Sequence, residues 1–241
     1  MEPVYSEFNW KRLYPLGGTA ALLQLAIVLV ITVAAVALGL RPANVQEYYA
    51  LYQSDRLALL LRDDFTSLLL VALYLFTIPA LYIALRRIDA AATALASLFV
   101  LVAVVTCFAT NSGFSMLYLS QQYAAAPRRE LLAAGEAVLA ADMWHSSGAY
   151  LAGILMQGGG MILSLVMLRS RDFAKATAYS GLLGNGLDLI QHVLYPFAPA
   201  VSDAIAPLMG VFYLAWFPLL AWNLFRLGRS RADRKEAKHG A

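Results

Sequence analysis

The sequence predicts an all-α, polytopic membrane protein: a six-transmembrane-helix bundle with two interfacial helices on its outer side. Three observations predict it. The 241 residues are 61% hydrophobic and 14% charged, with a mean hydropathy of +0.64, whereas a soluble domain is about half apolar and about a quarter charged. The charged residues are bunched, and the runs between them reach the ~20 apolar residues that a span requires. The basic residues concentrate on alternate connections, the asymmetry that membrane insertion imposes on Lys and Arg.

The first apolar run, Leu16 to Leu40, follows Lys11 and Arg12 and has 25 residues. A signal-peptide core has roughly 7–15, so this run is expected to remain as the first span, 16–40, and to serve as the insertion signal. Residues 43–64, "ANVQEYYALYQSDRLALLLRDD", mix aromatic, charged and leucine positions and read as an interfacial helix feeding span two. Span two, 65–86, is bounded by Asp63-Asp64 and Arg86-Arg87. Span three, 91–112, begins after Asp89 and closes at Asn111, Ser112 and Gly113. In 128–144, Leu131, Leu132, Gly135, Val138 and Leu139 share one helical face, with Glu130 and Glu136 away from it. That segment reads as a second outer helix. Span four, 145–168, ends at Arg169 and Arg171; span five, 175–197, starts at Lys175; span six, 204–226, ends at Arg226. Residues 1–228 are expected to form one transmembrane bundle, and 229–241 a basic cytoplasmic tail.

Six spans put both termini on one side. That side holds 13 of the 18 Lys and Arg, which makes it the cytoplasmic one. The net charge of +3 sits at helix ends and in the tail, so it argues for membrane lipids as partners and against nucleic acid. Cys107 is the single cysteine, which excludes an internal disulfide, a Cys-based metal motif and a redox pair. Small residues, Gly158 to Gly160 in span four and Gly181, Gly184 and Gly186 in span five, allow these two helices to approach closely as an antiparallel hairpin.

The anomalous stretch is "GLLGNGLDLIQHVLYPF", 181–197, where Asn185, Asp188, Gln191 and His192 interrupt an apolar span. Ionisable groups inside a membrane helix are costly and mark function. Heights follow from a helix rise of ~1.5 Å per residue: counted from the basic residues of the inner face, Asp188 lies ~20 Å up, His192 ~26 Å, Asp64 and Asn111 ~33 Å, His145 ~36 Å and Asp142 ~40 Å. The hydrocarbon core is ~30 Å thick, so four helices bring polar groups to its outer half or rim. Asp142 and His145 are at i,i+3, and Asp188 and His192 at i,i+4, each pair on one face. Asn185 extends the second face inward and Tyr195 extends it outward. A hairpin of spans four and five lets the two faces meet, with Asp63 or Asp64 closing the cluster. Asp63, Asp64 and Asp142 also suit helix caps. Asp188, deep within its span, does not.

Three chemistries fit these residues. The first is a metal site of His145, Asp188, His192, Asp142 and Asp64, holding zinc, or iron or manganese. Asn185 and Asn111 would stand beside the bound cofactor. Zinc with an open position gives a hydrolase, here acting on a lipid or another amphiphile. Its chemistry resembles that of the membrane-embedded ceramidase and adiponectin-receptor group, in which Asp and His hold zinc inside a helix bundle. That group uses three histidines on seven spans, where this chain offers two on six. The second is a b-type haem between His145 and His192. The third is an ion- or proton-coupled transporter centred on Asp188 with Asn185. A non-catalytic membrane protein is the fourth possibility.

The segments "DDFTSLLLVALYL" and "MLRSRDFAKATAYSGLLGNGL" resemble those of uncharacterised bacterial multi-helix integral membrane proteins of domain-of-unknown-function type. The resemblance implies a multi-pass protein of the cell inner membrane with both termini cytoplasmic, and implies no reaction.

Overall fold

Apolar runs of this length fold as helices because, in hydrocarbon, every backbone N–H and C=O must be satisfied within its own segment. The computed structural model describes residues 10, 12–39, 42–62, 65–141 and 146–239, with side chains omitted at 203, 206 and 230–239. Among the described residues there are 11 α-helices and no strand. They are α1 (Leu13–Leu38), α2 (Val45–Ser54), α3 (Arg56–Arg62), α4 (Phe65–Ala72), α5 (Tyr74–Leu85), α6 (Ala90–Thr110), α7 (Gly113–Ala125), α8 (Arg129–Ala140), α9 (Ser147–Arg169), α10 (Lys175–Leu194) and α11 (Pro199–His239). Five stretches among them are long and apolar enough to cross a membrane: Leu13–Leu38, Phe65–Leu85, Ala90–Ala125, Ser147–Arg169 and Pro199–Arg229. Several long apolar helices of this kind are the mark of a membrane protein. The expected fifth span, α10, is 20 residues long and is not among them. Asn185, Asp188, Gln191 and His192 lower its mean hydropathy.

Local chemistry explains where the elements depart from expectation. The single helix expected over 43–64 is two. Asp55 adopts an extended conformation (φ −152°, ψ 94°), ends α2, and accepts a hydrogen bond from the Ala58 amide at 2.9 Å, which starts α3. Beyond span three the chain forms α7, an element with no counterpart among the expected helices. Asn111 Oδ1 accepts from the Gly113 amide at 3.0 Å, a two-residue side-chain turn that redirects the chain into a new helix. The last helix starts at Pro199, where a missing N–H costs nothing, and runs 41 residues.

The chain divides into two compact units. The first contains residues up to 25, 73–101 and from 154 on. In it, α9 and α10 pack through glycine, as expected: a methyl at Gly160 would fall on Asn185, and one at Gly181 on Ser164 and Trp216. Gly159 serves the same purpose against Val100 and the Ala96 carbonyl of α6. Three polar ties join α10 to α11. Asn223 Nδ2 donates to Thr177 Oγ1 at 2.8 Å, Tyr213 reaches Asp188 at 2.7 Å, and Ser202 Oγ donates to the Gln191 carbonyl at 3.2 Å.

The second unit contains residues 26–72 and 102–153. Asn44 and Glu47 form a reciprocal cap on α2, the Asn44 side chain accepting from the Glu47 amide and Glu47 Oε2 from the Ala43 amide, both at 2.9 Å. The buried face of α2 (Val45, Tyr48, Tyr49 and Tyr52) forms a core with Leu59 and Met116. Leu132, Val138 and Leu139 of α8 pack against that core, which bears out the apolar face read from 128–144. Tyr49 donates to the Leu131 carbonyl at 2.6 Å and stacks on Tyr123 with ring centroids 4.5 Å apart. Burial first, and the Tyr123 phenol second, push Tyr49 above the ordinary tyrosine range.

Candidate functional site

The i,i+4 spacing of Asp188 and His192 is realised on α10. His192 Nδ1 lies 3.0 Å from the Asp188 main-chain carbonyl and 2.9 Å from its Oδ1. A carbonyl can only accept, so Nδ1 carries a proton and donates to it. Oδ1 then faces the ring at close range without an aligned hydrogen bond of its own. Asp188 is 6% exposed, while a quarter of the His192 side chain is exposed. The imidazole therefore stands between the buried acid and the exterior of its unit.

The other carboxylate oxygen is met by a residue that sequence reasoning missed. Tyr213 of α11 places its hydroxyl 2.7 Å from Asp188 Oδ2 and 3.0 Å from Gln157 Oε1 of α9. Gly184 allows this approach, since a side chain there would crowd Tyr213 and Phe212. Behind Tyr213, Trp216 and Phe217 close the site with stacked and tilted rings, 6.1 Å and 5.9 Å from the tyrosine centroid. Tyr74 of α5 lies within electrostatic reach of both Asp188 and Tyr213. The signal for Gln157 was present: a buried amide inside a 23-residue apolar helix is as anomalous as the acid. Tyr213 carried no such signal, being one of 13 tyrosines in the chain.

Of the remaining candidates, Asn185 and Asn111 each serve their own segment. Asn185 is 2% exposed, donates to the Gly181 carbonyl of its own helix at 2.7 Å and packs on Gly160. It is a packing group one turn below Asp188. Asn111 belongs to the second unit, where it makes the turn into α7. His145, Asp142 and Asp64, with Asp63, lie outside the described residues. Among the described residues no three His, Cys, Asp or Glu side chains gather as a metal site would need. Of the expected metal ligands, the structure brings together Asp188 and His192.

Fold and site define a helical protein with several helices of membrane-spanning length and a buried Asp–His–Tyr cluster in its first unit. No family model matches the chain, and no curated protein and no solved structure shows significant similarity to it.

Proposed function

We propose that the chain is a six-span inner-membrane protein with both termini cytoplasmic, α10 being its polar fifth span, and that it is a proton- or ion-coupled transporter with Asp188 as the coupling site. One observation carries the reading: Asp188 is buried within α10, with Tyr213 on one of its oxygens and His192 Nδ1 2.9 Å from the other. A carboxylate buried in a membrane span is costly when ionised and gains by taking up a proton or a small cation. A proton needs no further ligand than the described residues supply. His192, partly exposed and beside the carboxylate, gives the route by which the proton arrives.

A second reading keeps the metal-dependent hydrolase. It is favoured by the Asp188 oxygen and His192 nitrogen standing 2.9 Å apart, a spacing two ligands of one ion can adopt. Residues outside the described ones would then complete zinc, iron or manganese. The b-haem reading needs His145 as well, which is also outside the described residues.

One preparation separates these readings. Purified protein in proteoliposomes on a solid-supported membrane should give a transient current on a pH jump, and Asp188→Asn should abolish it. Stoichiometric metal that falls at least tenfold in Asp188→Asn, with no pH-jump current in the parent, would replace transport by metal chemistry. A Soret band lost in His192→Ala would establish haem.

A further inference from the structure

Three helix ends of the first unit meet at one basic corner. A methyl at Gly17 of α1 would fall on Ala80 of α5, and one at Gly18 on Phe225 of α11. Further out, one at Gly228 of α11 would touch Tyr14 and Pro15 of α1. In this register α1 runs antiparallel to both neighbours. The start of α1, the end of α5 and the exit of α11 therefore share one corner, which carries Trp10, Arg12, Arg86 and Arg229.

The charges of that corner are not neutralised within the unit. The Arg86 guanidinium lies 5.9 Å from the ring centroids of both Trp10 and Tyr82. Such contacts use the faces of the guanidinium and leave its in-plane N–H donors free. Among the described residues no carboxylate pairs with Arg12, Arg86 or Arg229. Asp89, three residues from Arg86, is taken by Arg169 at 3.5 Å and by the Ala92 amide at 3.0 Å. The first turn of α1 holds no acid, so the positive end of its dipole adds to the field. Like charges gathered in this way repel, and an anion shared among them removes the repulsion. Guanidinium suits a phosphate, whose oxygens it can bind in pairs.

The surface beside the corner says which phosphate. Arg12, Leu16, Thr19 and Leu23 follow at i, i+4, i+7 and i+11 on one face of α1, and all four are exposed. Leu16 and Leu23 are each 50% exposed. The stripe leads from the cations into the apolar length of a helix able to cross a membrane. A free phosphate would match the charges alone. A phospholipid matches both parts, with Trp10, 49% exposed, at the level where tryptophan marks a membrane interface.

We propose that this corner binds an anionic phospholipid, with Arg12, Arg86 and Arg229 on its phosphate, Trp10 beside the headgroup and an acyl chain along Leu16 and Leu23. A net negative headgroup such as phosphatidylglycerol is preferred, because a zwitterionic one brings its own cation to a positive corner. The bound lipid ties α1, α5 and α11 together. The site uses no residue of the Asp188 cluster, so it stands whether that cluster carries protons or a metal.

Native mass spectrometry of the full-length protein, stripped of lipid in detergent and titrated with phosphatidylglycerol, tests this. The expected result is one tight adduct, about tenfold weaker with phosphatidylcholine. A basic residue near an anionic lipid surface contributes about fivefold in affinity. Arg12→Gln, Arg86→Gln and Arg229→Gln should each weaken the adduct about fivefold, and the triple variant about a hundredfold. The single variants sit on separate segments, so they decide the matter if the triple variant fails to fold. Arg86→Lys keeps the charge but loses the planar fork, and should fall between the parent and Arg86→Gln. Joint Arg128→Gln and Arg129→Gln, in the second unit, should leave the adduct unchanged. Equal affinity for the two lipids, or single variants that bind as the parent does, overturns the proposal. So does an equal loss in the Arg128 and Arg129 variant, which would show a diffuse charge effect. Displacement of the lipid by an equal concentration of soluble glycerophosphoglycerol would mark a free-phosphate site and overturn the lipid assignment.

Discussion

Tyr213 of α11 sets its hydroxyl 2.7 Å from Asp188 Oδ2 of α10. The contact joins residues 25 apart in sequence and gives the buried acid of α10 a hydrogen-bond donor from a second helix. Hydrogen bonds to a charged group contribute about 1.5–3 kcal/mol, and a buried acceptor left without its donor bears the desolvation cost as well. The geometry therefore makes Tyr213 both a structural clamp and a reporter of the acid.

Tyr213→Phe keeps the ring contacts with Trp216 and Phe217 and removes only the hydroxyl. The variant should lose about 2 kcal/mol of stability, the cost of an unmet buried acceptor. Thermal unfolding in detergent measures it. In an Asp188→Asn background the same substitution should cost much less, because the charge is gone. Equal losses in the two backgrounds would mean that the hydroxyl does not hold the carboxylate.

The glycines of α9 should differ sharply among themselves. A methyl at Gly160 would fall on Asn185, and one at Gly158 would meet nothing within 4 Å. Overpacking costs about 1–3 kcal/mol, so Gly160→Ala should destabilise by that amount. In open space Ala is the better helix former by roughly 0.5–1 kcal/mol, so Gly158→Ala should stabilise. Three adjacent glycines with similar responses would show that the α9–α10 contact is misplaced.

How far the sequence anticipated the site follows from what each residue's type reveals. Asp188 and His192 stood out because an acid and an imidazole one turn apart have no place in an apolar helix unless they work together. Gln157 could have been seen by the same logic, being an amide inside a 23-residue apolar helix. Tyr213 could not, because a tyrosine among apolar residues is ordinary in a membrane helix and its partner lies on another helix. The same limit hid α7: the Asn111–Gly113 turn reads as an end, and only the packing of its Met116 and Tyr123 against Tyr49 of α2 shows that a helix follows. The α2–α3 break at Asp55 was legible only in hindsight, since an acid inside a polar helix carries no signal of its own.

Tyr49 makes the second unit sensitive to alkali. Its folded pKa lies above the ordinary tyrosine value of 10.0, through burial and then the neighbouring Tyr123. The neutral phenol is thus the form the fold prefers, and it donates to the Leu131 carbonyl at 2.6 Å. Its contribution is complete below pH 10.0 and declines as pH rises through the folded value. An alkaline titration followed by near-ultraviolet circular dichroism should show a loosening transition above pH 10.0. Tyr49→Phe should remove that phase and cost about 1 kcal/mol at neutral pH for the lost hydrogen bond. An unchanged alkaline transition in Tyr49→Phe would assign it to another group.

The final prediction concerns α10 as a membrane crossing, on which the proposed topology turns. Its average hydropathy is low, but an average over a helix mixes two faces. Asn185, Asp188 and Gln191 are 2%, 6% and 7% exposed, whereas Tyr179, Leu183, Ile190 and Val193 are 55%, 47%, 48% and 40% exposed. The polar face is turned inward and the outward face is apolar, which is the arrangement lipid requires of a span that carries ionisable groups. Its 20 residues rise ~30 Å, the thickness of the hydrocarbon core. With α10 crossing, the five more apolar stretches become six, and an even number returns the chain to the side where it began. Reporters fused before Met1 and after Ala241 should both be cytoplasmic, where 13 of the 18 Lys and Arg also fall. Reporters on opposite faces would show an odd number of crossings and remove α10 from the membrane. A single cysteine introduced at Ala176 or at Tyr195, in a Cys107→Ser background, gives an independent reading. The two sites should react with impermeant maleimides from opposite sides, and labelling of both from the same side would place the Asp188 cluster outside the bilayer.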